Sequence, residues 1–355
     1  MTSDFGYSHE KSEHPSPATR VLNAPDSSKC CAVYFAGGIR GRRQRPAKGQ
    51  AASTDFAVLW SDPVDIASRN LFYGSGGERD QPHGTMTFLK EAKGGTNPKF
   101  DVRDEDGTKW RVKLGVEARP ETVAAHLLWA VGYFADEDYF VPSLTVENMP
   151  PHLKRGQNLV GPSGVIQNVR LKRHLTGEQK IGRWKWKQNP FRGTREFNGL
   201  RVMMALINNW DLIDENNSIY EESDPRQARY LVSDLGSSFG KTGYSWNSTM
   251  SKDNLKAYSH SKFITKIAPD YVDFSVPKRP PLLYFFNLGW FFTIVHTHWI
   301  GKHIPRADAK WMGEILAQLS PAQIRDAFRS AGYTPEKTEA YAEVLERRIA
   351  ELNRF

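Results

Sequence analysis

Apolar positions change their spacing about midway along the chain. Between residues 85 and 115 they alternate with polar ones over short runs, the pattern of half-buried strands. "TMTFLKE" (85–91), "PKFDVRD" (98–104) and "TKWRVKLG" (108–115) are the predicted strands, separated by the glycine turn "AKGGTN" and the turn signal "EDG". "RPETVAAHLLWAVGY" (119–133) then predicts a helix: Pro120 suits its first turn, and Ala124, Leu127, Leu128 and Val131 recur along one side. Two more strands are expected in "DYFVPSLTV" (138–146) and "SGVIQNVRLKR" (163–173), giving a mainly antiparallel sheet with one inserted helix.

The second half reads as helical. "TREFNGLRVMMALINNW" (194–210) carries Phe197, Leu200, Met204 and Ile207 at helical spacing, with Thr194 as its cap. Three further helices are expected over 306–319, 320–333 and 334–352. The second opens on a capping box, Ser320 with Gln323, and stops at Gly332. The fold class expected is therefore α+β in two lobes, a β-rich one (56–175) and a helical one (176–355). Residues 1–55, rich in Ser, Pro, Gly and Arg, form a disordered basic tail in this reading.

Composition narrows the partners little. Of 355 residues, 48 are basic and 40 acidic, a formal charge of +8 that favours anionic ligands. "RWKWK" (183–187) mixes tryptophan with lysine, as a base-stacking surface would, but the alternation suits a half-buried strand with lysines outward; nucleic acid is an unlikely partner. The most apolar window, Pro281 to Gly301, is broken by Asn287, Gly289, His296 and His298, so no membrane span is expected. The amino-terminal stretch has no apolar run of signal-peptide length, which makes the cytoplasm the default compartment. H-E-x-x-H, the Walker-type phosphate loop and paired C-x-x-C motifs are absent from the sequence.

The candidate chemistry lies in "NNWDLIDENN". Asn208 to Asn217 hold four amides and three carboxylates at the junction of two apolar elements. "SIY" and "RYLVSD" then form a hairpin that brings Asn216 and Asp234 to one end of two paired strands. An amide oxygen and a carboxylate there suit Mg²⁺, which also holds phosphate oxygens. Asp211, in the loop just before, is placed to take a proton from an attacking hydroxyl. On the sheet side Lys113 reaches phosphates as a point charge, with Glu121 as its ion-pair partner and Glu117 as the runner-up. Gly94 and Gly95 let backbone amides approach phosphate, and Lys99 adds charge.

The order glycine hairpin, strand lysine, helix glutamate, D-x-x-x-x-N, hairpin, D-x-G resembles the protein-kinase-like fold. Over about residues 84–241 it is most similar to HipA-type atypical kinases, and more distantly to phosphatidylinositol kinases. The resemblance implies a Mg²⁺- and ATP-dependent phosphotransferase. Asp211 would be the catalytic aspartate, Asn216 and Asp234 the metal ligands, and Lys113 the ATP-phosphate lysine. Three positions depart from the pattern: Asn209-Trp210 stand in place of His-Arg, Ile213 replaces a histidine two residues after the aspartate, and Leu235 replaces the Phe of Asp-Phe-Gly. The absent histidine favours an alternative, a pseudokinase that binds nucleotide or acts as a scaffold. Residues 237–264 occupy the place of an activation segment; nothing in them identifies the acceptor, protein or small molecule.

Overall fold

In a computed structural model, the described residues are 57–92, 94, 97–221, 227–242, 250–276 and 297–355. The β-rich part is a closed barrel. Its strands are β2 (Met86–Glu91), β3 (Lys99–Arg103), β4 (Lys109–Lys113), β5 (Asp138–Glu147) and β6 (Val165–Arg173), in the order β2-β3-β4-β6-β5. Neighbours are antiparallel, as expected, except at the seam where β5 runs parallel to β2, pairing Met86 with Val146 and Thr87 with Glu147. A register shift between Phe88 and Lys90 in β2 curls that strand toward the seam. Closure leaves no open edge. Inside pack Phe100, Val102, Trp110, Val112, Ile166 and Leu171, all buried.

Helix α1 (Ala118–Ala130) connects β4 to β5. Its apolar residues were expected to mark one face, yet every residue except Arg119 and Trp129 is buried. It lies between two cores and has no solvent side, which is why any acid upon it needs a partner.

The rest of the described chain forms a second core. A four-stranded sheet has the order β1-β9-β8-β7, from β1 (Ala57–Val58), β7 (Gln179–Gly182), β8 (Asn217–Glu221) and β9 (Ala228–Val232). Leu59, Ile66 and Leu71, which follow β1, pack in this core and not in the barrel. The helices are α2 (Arg195–Leu206), α3 (Leu255–His260), α4 (Arg306–Leu316), α5 (Pro321–Ser330) and α6 (Pro335–Leu352). Thr194 caps α2 by accepting from the Phe197 amide at 3.2 Å, and Ser320 and Gln323 close their capping box on α5. Gly332, with φ +70°, ends α5, and a Cβ there would come within 2.3 Å of Phe140. The architecture is thus α+β and two-lobed, a β-rich lobe with one helix and a helical lobe.

Two expectations need correction. "RWKWK" is not a strand: β7 ends at Gly182, and Lys185 pairs only with Gln188 across a tight turn. The alternation is real, however. Trp184 and Trp186 are buried against Phe197 while Lys185 and Lys187 are exposed, so neither indole is available for base stacking. The helix predicted over 194–210 stops at Leu206. Asn208 takes φ +52°, its amide bonds Ala205 O at 3.1 Å, and the Asn209 amide bonds Met204 O at 2.9 Å. That is a Schellman stop with asparagine in the left-handed position. Of the apolar window 281–301, only 297–301 fall among the described residues. No helix among the described residues is long and apolar enough to cross a membrane.

The α2 terminus is locked from the far end of the sequence. Arg348 of α6, buried, donates to Leu206 O (2.7 Å), Asn208 Oδ1 (3.1 Å), Tyr258 O (3.1 Å) and Ser261 Oγ (2.7 Å), and lies 4.0 Å over the Tyr258 ring. Replacing it, Arg348→Met, removes one donor from carbonyls at two helix ends, which keep the Tyr258 and Ser261 hydroxyls, and leaves Asn208 Oδ1 without its arginine donor. A loss of about 2–5 kcal/mol in unfolding free energy by chemical denaturation is expected; a change below about 0.5 kcal/mol would refute this role.

Candidate functional site

The loop from Asn208 to Asn217 gives each amide a separate task. Asn208 ends α2, and its Nδ2 donates to Gly240 O (2.9 Å) and Ser261 Oγ (2.7 Å). Asn209 Oδ1 accepts from the Asp211 amide at 3.0 Å, fixing the turn that carries Asp211. Asn216 Nδ2 donates to Asp211 O at 2.8 Å, folding the loop back on itself. Asn217 Nδ2 holds Trp184 O at 3.1 Å. Asp214 Oδ1 accepts from the Trp186 amide at 3.0 Å, tying the same loop to the tryptophan turn.

This folding brings Asp211 and Asn216 to one end of the β8–β9 hairpin, where Asn217 pairs with Val232 and the Ser233 amide bonds Asn216 O at 2.8 Å. Asp234 follows. The structure therefore places Asn216 and Asp234 at the same strand ends, as the spacing predicts. With its Nδ2 engaged, Asn216 turns Oδ1 away from Asp211, and no contact among the described residues engages that oxygen. Asp234 keeps Oδ2 unengaged in the same sense. A neutral and an anionic oxygen, both uncommitted and beside the ends of adjoining strands, fit a hard cation such as Mg²⁺.

From the barrel comes Lys113, the last residue of β4, and its ammonium is buried. It meets Glu121 Oε2 at 2.7 Å, Glu117 Oε2 at 3.1 Å and Asp234 Oδ1 at 3.1 Å. Lys113 thus has both glutamates as partners. They stand one turn apart on one side of the start of α1, and Asp234 closes the group from the other lobe. Gly236, two residues on, lets the turn press against α1: a Cβ there would come within 2.7 Å of Glu117 Cβ.

Sequence reading missed Arg170, Asp138 and Lys252 as members of this network. Arg170, opposite Lys113 on β6, contacts Glu121 Oε1 at 2.8 Å and Asp138 Oδ1 at 3.3 Å. Lys252, from the segment after the Asp-Leu-Gly turn, pairs with Glu117. Strand alternation does place Arg170 on the face of Lys113; nothing local announces Lys252. The charges govern protonation. Burial works against the Lys113 ammonium, but Glu121, Asp234 and Glu117 hold its pKa well above the ordinary lysine range. Burial raises the carboxyls of Glu117 and Asp234, yet Lys113 outweighs it and both lie below their usual values. Asp138 is pushed up to about 7 by burial, with Glu121 and Asp136 adding to the shift against Arg170.

Lys99 stands directly across from Lys113 on β3. Burial first, and then the charge of Lys113, lower its pKa, and it has no carboxylate partner among the described residues. An uncompensated amine beside the cluster is suited to an anionic group. Gly94 is exposed, and a Cβ on it would meet nothing within 4 Å, so the protein's own packing does not demand glycine there. Gly95 lies outside the described residues.

No family model matches the chain, and no curated protein matches it. Solved structures do. The Helicobacter pylori proinflammatory kinase CtkA is 14% identical, with 77% of this chain and 97% of that chain covered and a TM-score of 0.41. The Golgi casein kinase is 12% identical, with 77% and 75% covered and a TM-score of 0.32. Its structure with Mn/ADP bound is likewise 12% identical, with 82% and 78% covered and a TM-score of 0.32.

The pairing has a pH signature. Glu117 and Asp234 have folded pKa values below their unfolded ones. Their stabilisation is full above the ordinary carboxylate range, about pH 4, and is lost as pH falls through the depressed values. In Lys113→Met the neutralising ammonium is gone and burial raises the same carboxyls, so the native state takes up protons before the unfolded state. Between about pH 7 and pH 5 Asp138, with its raised pKa, adds stability on acidification in both proteins, and the melting temperature of Lys113→Met is expected to rise relative to that of the unaltered chain. Parallel profiles would refute the pairing.

Proposed function

We propose that the protein is a Mg²⁺- and ATP-dependent phosphotransferase of protein-kinase-like type. The observation that carries this reading is the 3.1 Å contact between Lys113 and Asp234, which joins the barrel lysine to the hairpin bearing Asn216 and, through its loop, Asp211. Catalysis of phosphoryl transfer is mostly positioning and charge neutralisation. Lys113, with Lys99 beside it, binds phosphate oxygens of the nucleotide. Glu121 and Glu117 hold the Lys113 amine in place. Asn216 Oδ1 and Asp234 would hold Mg²⁺, which supplies neutralisation of the phosphate charge. Asp211 takes the proton of the acceptor hydroxyl as its oxygen bonds to the γ-phosphorus and the bridging oxygen leaves with ADP.

A nucleotide-binding module with little chemistry is the second reading, favoured by Ile213 where HipA-type loops carry histidine. Turnover of [γ-³²P]ATP with Mg²⁺ separates the two. Asp234→Ala is expected to lose MgATP binding and to lower turnover by at least about a hundredfold. Asp211→Asn is expected to lower turnover by about a hundredfold with ATP affinity kept. Full activity in Asp234→Ala would refute the phosphotransferase reading. Thermal stabilisation by MgATP with no phosphate transferred or released selects the second.

A further inference from the structure

Lys113 has no face open to a ligand. Its side chain is 3% exposed, and carboxylate oxygens of Glu121, Glu117 and Asp234 lie 2.7, 3.1 and 3.1 Å from Nζ. An ammonium has three N–H groups to give. Glu117 Oε2 and Asp234 Oδ1 each accept one, and Glu121 Oε2 presses against the same ammonium as an ion-pair contact. A phosphate oxygen therefore reaches Nζ only where a carboxylate withdraws.

The three acids differ in what else holds them. Asp234 has no ion pair other than Lys113 among the described residues. Glu121 also meets Arg170 at 2.8 Å, but that guanidinium is buried and shared with Asp138. Glu121 is thus fixed from both sides. Glu117 bridges two amines, with Oε2 on Lys113 and Oε1 on Lys252. The Lys252 side chain is 17% exposed, so this second partner stands at the edge of the cluster and not inside it. A buried carboxylate stripped of its cation is strongly unfavourable. Lys252 removes that obstacle, because Glu117 can release Lys113 and stay paired.

Lys252 is itself held by the helical lobe. Its ammonium lies 5.3 Å from the centre of the Trp210 ring, one residue before Asp211. The Asp253 amide donates to Ser238 O at 3.2 Å, and Asp253 Oδ1 accepts from the hydroxyls of Tyr333 (2.5 Å) and Tyr341 (2.9 Å). The amine that pairs with Glu117 therefore comes from the segment after the Asp-Leu-Gly turn, anchored beside the reactive loop.

We propose that Glu117 competes with nucleotide phosphate for Lys113, and that Lys252 is the positioning residue that decides the competition by giving Glu117 a second cation. The segment bearing Lys252 thereby regulates phosphate affinity. With Lys252 in place, Glu117 can yield to phosphate; with it displaced, Glu117 belongs to Lys113 alone and closes the site. The inference rests on the nucleotide-dependent reading above.

Calorimetry on the full chain with Mg²⁺ and the β,γ-imido analogue of ATP tests it. Glu117→Gln keeps the size of the side chain and removes its charge, and is expected to bind the analogue about tenfold tighter than the unaltered chain. Lys252→Met is expected to bind about tenfold weaker, and Lys252→Arg, which keeps the charge, within about twofold of the unaltered chain. In the Glu117→Gln background, Lys252→Met is expected to change affinity by less than about twofold, which a merely structural role for Lys252 would not give. Equal or weaker binding by Glu117→Gln overturns the competition and leaves the phosphotransferase reading standing. So does an equal loss from Lys252→Met in both backgrounds. If Glu117→Gln shows no cooperative melting transition, unchanged affinity in Lys252→Met overturns the inference by itself. Binding by none of these proteins, the unaltered chain included, overturns both.

Discussion

One buried ammonium with three carboxylates holds the two lobes in register. Lys113 belongs to the barrel, Glu117 and Glu121 to the start of α1, and Asp234 to the turn after β9. Desolvating four charges is costly, and their mutual attraction compensates only when the geometry is close. The surrounding elements fit this requirement. α1 is buried almost all round, Arg170 and Lys252 balance the acids that Lys113 leaves partly exposed to one another, and Gly236 permits the approach of the turn.

Much of this was legible because it is local. Alternation marked the barrel strands, 3.6-residue spacing and caps marked the late helices, and the spacing from Asp211 to Asn216 and on to Asp234 marked the hairpin. What escaped depends on long-range geometry. Closure of the barrel through a parallel seam joins residues 86–87 to 146–147, and no local pattern encodes it. The helix periodicity runs through Ile207, but Asn208 in the left-handed conformation ends the helix, because Gly240, Ser261 and Arg348 reward that stop. The tryptophan–lysine run shows the converse case. Its alternation of burial was readable and its strand was not, since a tight turn can alternate burial over four residues as well as a strand can.

The polar loop at the centre of the molecule also clarifies what a dense run of amides signifies. Asn208, Asn209, Asn216 and Asn217 each satisfy backbone groups that regular structure leaves unpaired at a helix end, a turn and a strand start. Among the described residues, Asn216 and Asn217 each keep a side-chain oxygen without a partner, that of Asn217 buried.

The clasp made by Arg348 has a bearing on biosynthesis. The α2 terminus, a few residues ahead of Asp211, receives its closing donors from a side chain 140 positions farther along the chain. A nascent polypeptide emerging from the ribosome carries that terminus long before the guanidinium arrives, so the α2 end gains its arginine donor only when α6 docks.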